Sequence, residues 1–184
     1  MDIIRGITLN VAFLFAFLFL FSFPNITTKD RTHSLPVKIV KGILFGIITI
    51  GIMANAWEMV PGAIFDTRSV IISVVALMFS GVTAIVTAVI AIGYRLYLGN
   101  IGVYAGILTI ASSLVIGMLW RKFVYKKTKF NIFLELYLFG VLVHIFMILS
   151  QFAFPYPTNI EVITKVSPIV LIIYPLATML VAKA

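Results

Sequence analysis

Long runs of apolar residues, broken by short polar or glycine- and proline-bearing segments, repeat along the whole chain. A helix crossing the hydrocarbon core of a bilayer needs about 20 mainly apolar residues, and these runs have that size. The first covers residues 3–23 and is stopped by Pro24, Asn25 and the charged stretch Lys29-Asp30-Arg31. Only Arg5 is basic before it and no small-residue cleavage site follows, so it reads as a retained span rather than a signal peptide. Further spans are expected at residues 37–56, 103–120, 130–152 and 162–182. Pro168 and Pro175 should kink the last.

Residues 62–98 are ambiguous. As one span plus a loop they give a bundle of six helices; as two short spans folded at Ser80-Gly81 they give seven. Glycine supplies the backbone freedom a tight turn needs, and each arm would have roughly 17 residues, the lower limit for a span. The positive-inside rule favours seven. Seven spans with the N-terminus outside put Lys29, Arg31, Lys38 and Lys41 on the same face as Arg121, Lys122, Lys126, Lys127, Lys129 and Lys183. Only Arg5, Arg68, Arg95 and Lys165 then lie outside. Six spans divide the two basic loops between opposite faces. The expected fold is therefore an all-α polytopic transmembrane bundle with a cytoplasmic C-terminus. Residues 1–36 form a peripheral first helix and basic loop, and residues 37–184 the main domain. The first helix has no glycine after Gly6, whereas the later ones carry Gly46, Gly51, Ala84, Ala88, Gly106 and Ser113, small residues that permit close packing.

Composition fits this pattern: 62% of the 184 residues are apolar and 11% charged, against about a quarter charged in soluble domains. The net charge of +8 is that of basic helix ends at a cytoplasmic face rather than of a nucleic-acid binder. With no cysteine there is no disulfide, thiolate metal site or cysteine nucleophile. Nothing matches a metal, nucleotide, kinase or hydrolase motif, so neither a cofactor nor an enzyme activity is expected.

The informative residues are ionisable ones inside apolar segments. Arg68 lies 12–13 residues before the Ser80-Gly81 turn and Arg95 lies 14–15 after it. At 1.5 Å per residue both are about 19–22 Å from the turn, on neighbouring antiparallel helices. Two guanidiniums at one depth repel unless an anion lies with them. Asp66 can serve one, and a small carboxylate could serve both through bidentate forks. The alternative is a purely structural Asp66-Arg68-Arg95 network. Residues 55–62 interrupt the helices beside this level, and Tyr94 and Tyr104 flank the link Gly99-Asn100-Ile101-Gly102. The hydroxyls of Thr109, Ser112 and Ser113 could complete a pocket or bond back to their own helix. Glu135 is expected to pair with Lys127 or Lys129. His144 reads as a hydrogen-bonded packing residue.

The stretch Pro61-Gly62-Ala63-Ile64-Phe65-Asp66-Thr67-Arg68, then Gly81, Tyr94-Arg95 and Gly99 through Gly102, resembles the LytS-type 5TM receptor domain (5TMR-LYT). The resemblance covers residues 37–182, and Asn100 departs from it where a second glycine is common. It implies a membrane sensor region of bacterial histidine kinases or diguanylate cyclases that binds a small external ligand, pyruvate among those known for such domains. It also implies a relay to a cytoplasmic signalling module, with a homodimer as a further expectation. The fold is similar to substrate-binding membrane subunits of vitamin transporters, so a transporter subunit and a scaffold of cell-wall assembly stand as alternatives. The chain ends just past the last span with no transmitter region, as a piece cut at the membrane boundary of a longer receptor would. The pair Gly42 and Gly46 is a possible helix-dimer motif of a kind common by chance.

Overall fold

The computed structural model describes residues 34–60, 62–128 and 131–183. The first expected span, at residues 3–23, lies outside them. Among the described residues the chain forms six α-helices, five of them long and apolar enough to cross a membrane, and one small hairpin.

Helix α1 (Leu35–Ala54) starts behind Ser34 with a proline in its first turn, where a missing N–H costs nothing. It ends at Asn55, whose Nδ2 donates to the Gly51 carbonyl at 2.8 Å. The antiparallel strands β1 (Trp57–Val60) and β2 (Ala63–Phe65) follow, with Trp57 opposite Phe65 and Glu58 opposite Ile64. Gly62 turns the hairpin at φ +88°, and its N–H donates to Glu58 Oε1 at 2.6 Å.

The hairpin corrects the expected third helix. An arm of about 17 residues from Gly62 is the size expected of a minimal span; α2 instead runs Arg68–Met78, 11 residues. That is about 16 Å of helix, too short to span alone. Gly62 turns the chain, and the segment after it pairs back as strand instead of starting the helix. The turn at Ser80-Gly81 forms where expected: Ser80 caps α3 (Gly81–Leu98), its Oγ accepting from the Thr83 N–H at 3.2 Å. Every residue of α2 from Arg68 to Leu77 is buried. A helix apolar all round belongs at the centre of a bundle, and α2 is enclosed there by the longer helices.

Helices α1 and α3 pack closely and run parallel. Thr83 Oγ1 donates to the Lys38 carbonyl at 3.1 Å, and Thr87 Oγ1 reaches the Gly42 carbonyl at 3.2 Å. Parallel packing requires the chain to return between them, which the hairpin and α2 accomplish. Gly42 and Gly46 make the contact possible: a Cβ would stand 2.6 Å from Val86 Cβ at the first and 2.7 Å from Ile90 Cδ1 at the second. The suspected dimer motif is occupied within the fold.

Helix α4 (Val103–Phe123) crosses back beside α2, with Gly117 against Ala76. Helix α5 (Ile132–Ser150) ends in a 3-10 turn at Gln151–Ala153, and α6 (Thr158–Lys183) runs unbroken through Pro168 and Pro175. Gly140 lets α5 approach the Pro175 backbone. Glu135 closes the α4–α5 loop by accepting from the Lys126 N–H at 2.9 Å and the Thr128 hydroxyl at 2.7 Å. Lys127 turns away and donates to the Lys122 carbonyl; Lys129, the other expected partner, lies outside the described residues.

Candidate functional site

Asp66 sits just before α2 and prepares its first turn. Its Oδ1 accepts the Arg68 backbone N–H and Arg68 Nε, both at 2.9 Å. One carboxylate oxygen thus caps a helix start and fixes a guanidinium, whose Nη2 also donates to the Ile64 carbonyl at 3.3 Å. Asp66 is 1% exposed and Arg68 5%.

Arg95 comes from the last turn of α3 and is also 1% exposed. It lies across α4 where that helix offers no side chains. A Cβ on Gly106 would collide with the Arg95 stem, and one on Gly102 would stand 2.7 Å from Arg95 Nη2. The α3–α4 link supplies acceptors: Arg95 Nη1 donates to the Gly99 carbonyl at 3.3 Å and Nη2 to Asn100 Oδ1 at 3.0 Å. Asn100 Oδ1 also accepts the Gly102 N–H at 3.2 Å. Asn100 has φ +70°, a left-handed conformation that asparagine tolerates better than most residues. At this departure from the family pattern the backbone keeps a glycine-like shape and gains an acceptor for the arginine.

Arg68 and Arg95 line one recess with Ile64, Phe65, Thr109 and Phe154, roofed by Met147 and Gln151. The space at its centre is about 10 Å³, enough for about one water molecule. Two guanidiniums and one carboxylate leave one positive charge uncompensated by side chains there. Arg68 Nη1, Arg95 Nε, Asp66 Oδ2 and Thr67 Oγ1 are buried without a hydrogen-bond partner. Buried polar groups are nearly always paired, and an unpaired buried charge costs several kcal/mol.

Not every candidate residue meets this recess. Gly102, Gly106, Thr109 and Ser113 share one face of α4 at helical spacing. Ser113 is a turn deeper and donates to the Thr109 carbonyl at 2.7 Å; Thr109 donates to Ala105 at 2.9 Å. Ser112 Oγ likewise bonds back, to the Thr109 carbonyl at 3.1 Å. Tyr104 is two residues from Gly102, about 200° around the helix, and is 73% exposed. Tyr94 is one residue from Arg95 and packs against Tyr97 and the cluster of Met53, Ile72 and Ala91. Both tyrosines are therefore off the recess.

A family model described as 5TMR of 5TMR-LYT matches residues 20–184. The chain belongs to the 5TMR-LYT family. Such domains are membrane sensors of signalling proteins, and this one is a multi-pass membrane protein whose helices suit the bacterial cell membrane. Neither a curated protein nor a solved structure is similar enough to count as a match.

The recess of this 5TMR-LYT domain also uses residues that the sequence did not single out. Gln151 falls at the end of the span expected at residues 130–152 and Phe154 just beyond it, and only burial reveals them. Gln151 Nε2 donates to the Met147 carbonyl at 2.7 Å. Behind the arginines, Ser69 Oγ lies 3.2 Å from His144 Nε2, and His144 Nδ1 donates to the Gly140 carbonyl at 2.7 Å. The His144 ring stands edge-on to Tyr174 of α6, with centroids 5.2 Å apart. His144 is the hydrogen-bonded packing residue its lone position suggests.

Proposed function

We propose that this sensor domain binds a small carboxylate, pyruvate being the leading example, between Arg68 and Arg95, and passes the event to a signalling module on the cytoplasmic side. The observation that carries the reading is the buried arginine pair with orphaned Nη1 and Nε donors beside a single carboxylate. A carboxylate supplies the missing charge and the planar acceptors that guanidiniums match. Thr109, whose own proton goes to the Ala105 carbonyl, faces the same space and can accept from a ligand hydroxyl.

The recess is closed around about one water molecule. Entry of an acid therefore requires the wall formed by the hairpin, Phe154 and Gln151 to move. A ligand shifts such an equilibrium only by binding one state better, and the open state with both arginines paired is the one a carboxylate favours. Ser69 follows Arg68 directly and contacts His144, which contacts Tyr174. Displacement of Arg68 is thereby felt by α6. With the basic residues Lys38, Arg121 and Lys122 taken as the cytoplasmic end, the recess is at the outer face and Lys183, in the last turn of α6, at the cytoplasmic face. Output through α6, to a kinase or cyclase module or a partner protein, follows from that orientation.

A thermal-stability panel of small acids tests the reading. Pyruvate should raise the melting temperature of the wild type by mass action and leave Arg95→Ala unchanged. No shift with any acid would reduce Asp66, Arg68 and Arg95 to a structural network. A transporter subunit would use the same recess, and solute counterflow in proteoliposomes would reveal it; a receptor moves nothing.

A further inference from the structure

At the opposite end of the molecule, the Ser80-Gly81 turn, the end of α4 and the loop after it enclose a groove of about 990 Å³. Gly81 and Arg95 are 14 residues apart on α3, so the groove is about 21 Å from the arginine recess along that helix. Lys38, Arg121, Lys122, Lys126 and Lys127 line it, and among the described lining residues none is acidic. Among the described residues, Glu135 beside the loop is 2% exposed and has both oxygens engaged with Lys126 N–H and Thr128. It holds the loop and does not neutralise the ammonium groups of Lys122, Lys126 and Lys127. Lys122 Nζ lies 5.1 Å from the Phe123 ring and Lys126 Nζ 5.2 Å from the Tyr125 ring, contacts that orient ammonium groups without cancelling their charge.

The groove also has an apolar side, formed by Val82, Met118 and Leu119. Leu119 and Phe123 are 50% and 62% exposed. Helix α4 has 21 residues, about 32 Å, which matches a hydrocarbon core of about 30 Å. Its last turn, with Arg121 and Lys122, therefore emerges at the depth of lipid phosphates, while Met118 and Leu119 stay at acyl-chain depth. Basic side chains over apolar ones, at that boundary, match a phosphate ester on an acyl glycerol.

We infer that this groove is a binding site for the headgroup of an anionic phospholipid. The phosphate lies among Lys122, Lys126 and Lys127, and an acyl chain lies along Val82, Met118 and Leu119. An acidic protein segment would use the charges but not the apolar wall, and inorganic phosphate likewise. The site is independent of the arginine recess and of its ligand.

The test is the melting temperature of the detergent-purified protein, titrated in parallel with phosphatidylglycerol, phosphatidylcholine, inorganic phosphate and polyglutamate. Phosphatidylglycerol should stabilise and the other three should not. Each lysine on an anionic surface is worth about a factor of five, so Lys122→Gln with Lys126→Gln should weaken the lipid effect roughly thirtyfold. Lys165→Gln, at the other end and paired with Glu161, should keep it. Equal stabilisation by phosphatidylcholine, or an unchanged effect in the double variant, would overturn the inference. Stabilisation by phosphate alone or by polyglutamate would replace the lipid with a free anion or an acidic segment. Should the double variant fail to fold, salt decides with the wild type: the phosphatidylglycerol shift should shrink as ionic strength rises, and a salt-insensitive shift would overturn it.

Discussion

Asn100 combines two demands at one position, a left-handed backbone and an acceptor for Arg95 Nη2. Asn100→Gly separates them. The backbone keeps its shape, so the fold should be unchanged, while Arg95 loses one side-chain acceptor. Loss of a hydrogen bond to a charged group costs about 1.5 kcal/mol, so the melting temperature should fall by about 3–6 °C with the fold intact. Gly106→Ala acts the other way, on space rather than polarity. Its Cβ meets the Arg95 stem, and overpacking of this kind costs about 1–3 kcal/mol. A lower melting temperature together with loss of the pyruvate response is expected, because Arg95 has to leave its bed on α4. The two arginines were legible in the sequence through distance counting alone. Equal helical rise from one turn puts them at one level, and the recess unites them. What Arg95 rests on was not legible. A glycine in an apolar helix reads as a packing residue until the side chain across it is known, and the tyrosines looked relevant only because linear proximity ignores helical phase.

Among the elements, the long helices follow the apolar runs closely because lipid contact and burial both demand apolar residues there. The short ones do not. Residues 63–65 are as apolar as any helix, and the turn at Gly62 decides that they pair as strand. The expected third span shrinks to an 11-residue buried helix for that reason. At this scale the α1–α3 contact is the sharpest test. Gly42→Leu would drive a branched side chain into Val86 and the Thr83 carbonyl. It should lower stability by about 1–3 kcal/mol, read as a drop in melting temperature. Were the motif instead a dimer contact, the same variant would change oligomeric state on size exclusion and leave stability alone.

In the whole molecule, the arginine recess and the last helix meet through Arg68, Ser69, His144 and Tyr174. This series of contacts has a hydrogen bond, Ser69 to His144, in its middle and a proline, Pro175, next to its final member. The sequence showed each residue but not their adjacency, since Ser69 and His144 are 75 positions apart and no pattern in one strand of letters joins them. His144→Phe keeps a ring of similar size and removes both hydrogen bonds. Pyruvate should still raise the melting temperature of this variant. The change in amide hydrogen exchange that pyruvate produces around Pro175 in the wild type should be lost. Retention of that change would move the coupling route elsewhere.

The most direct measurement is a calorimetric titration of pyruvate into the wild type, Arg68→Ala and Arg95→Ala proteins. Saturable one-site binding to the wild type and none to either variant is expected, since in the proposed site each arginine supplies half of the fork for one carboxylate. Undiminished binding to Arg68→Ala or Arg95→Ala would contradict it and place any carboxylate site away from the paired guanidiniums.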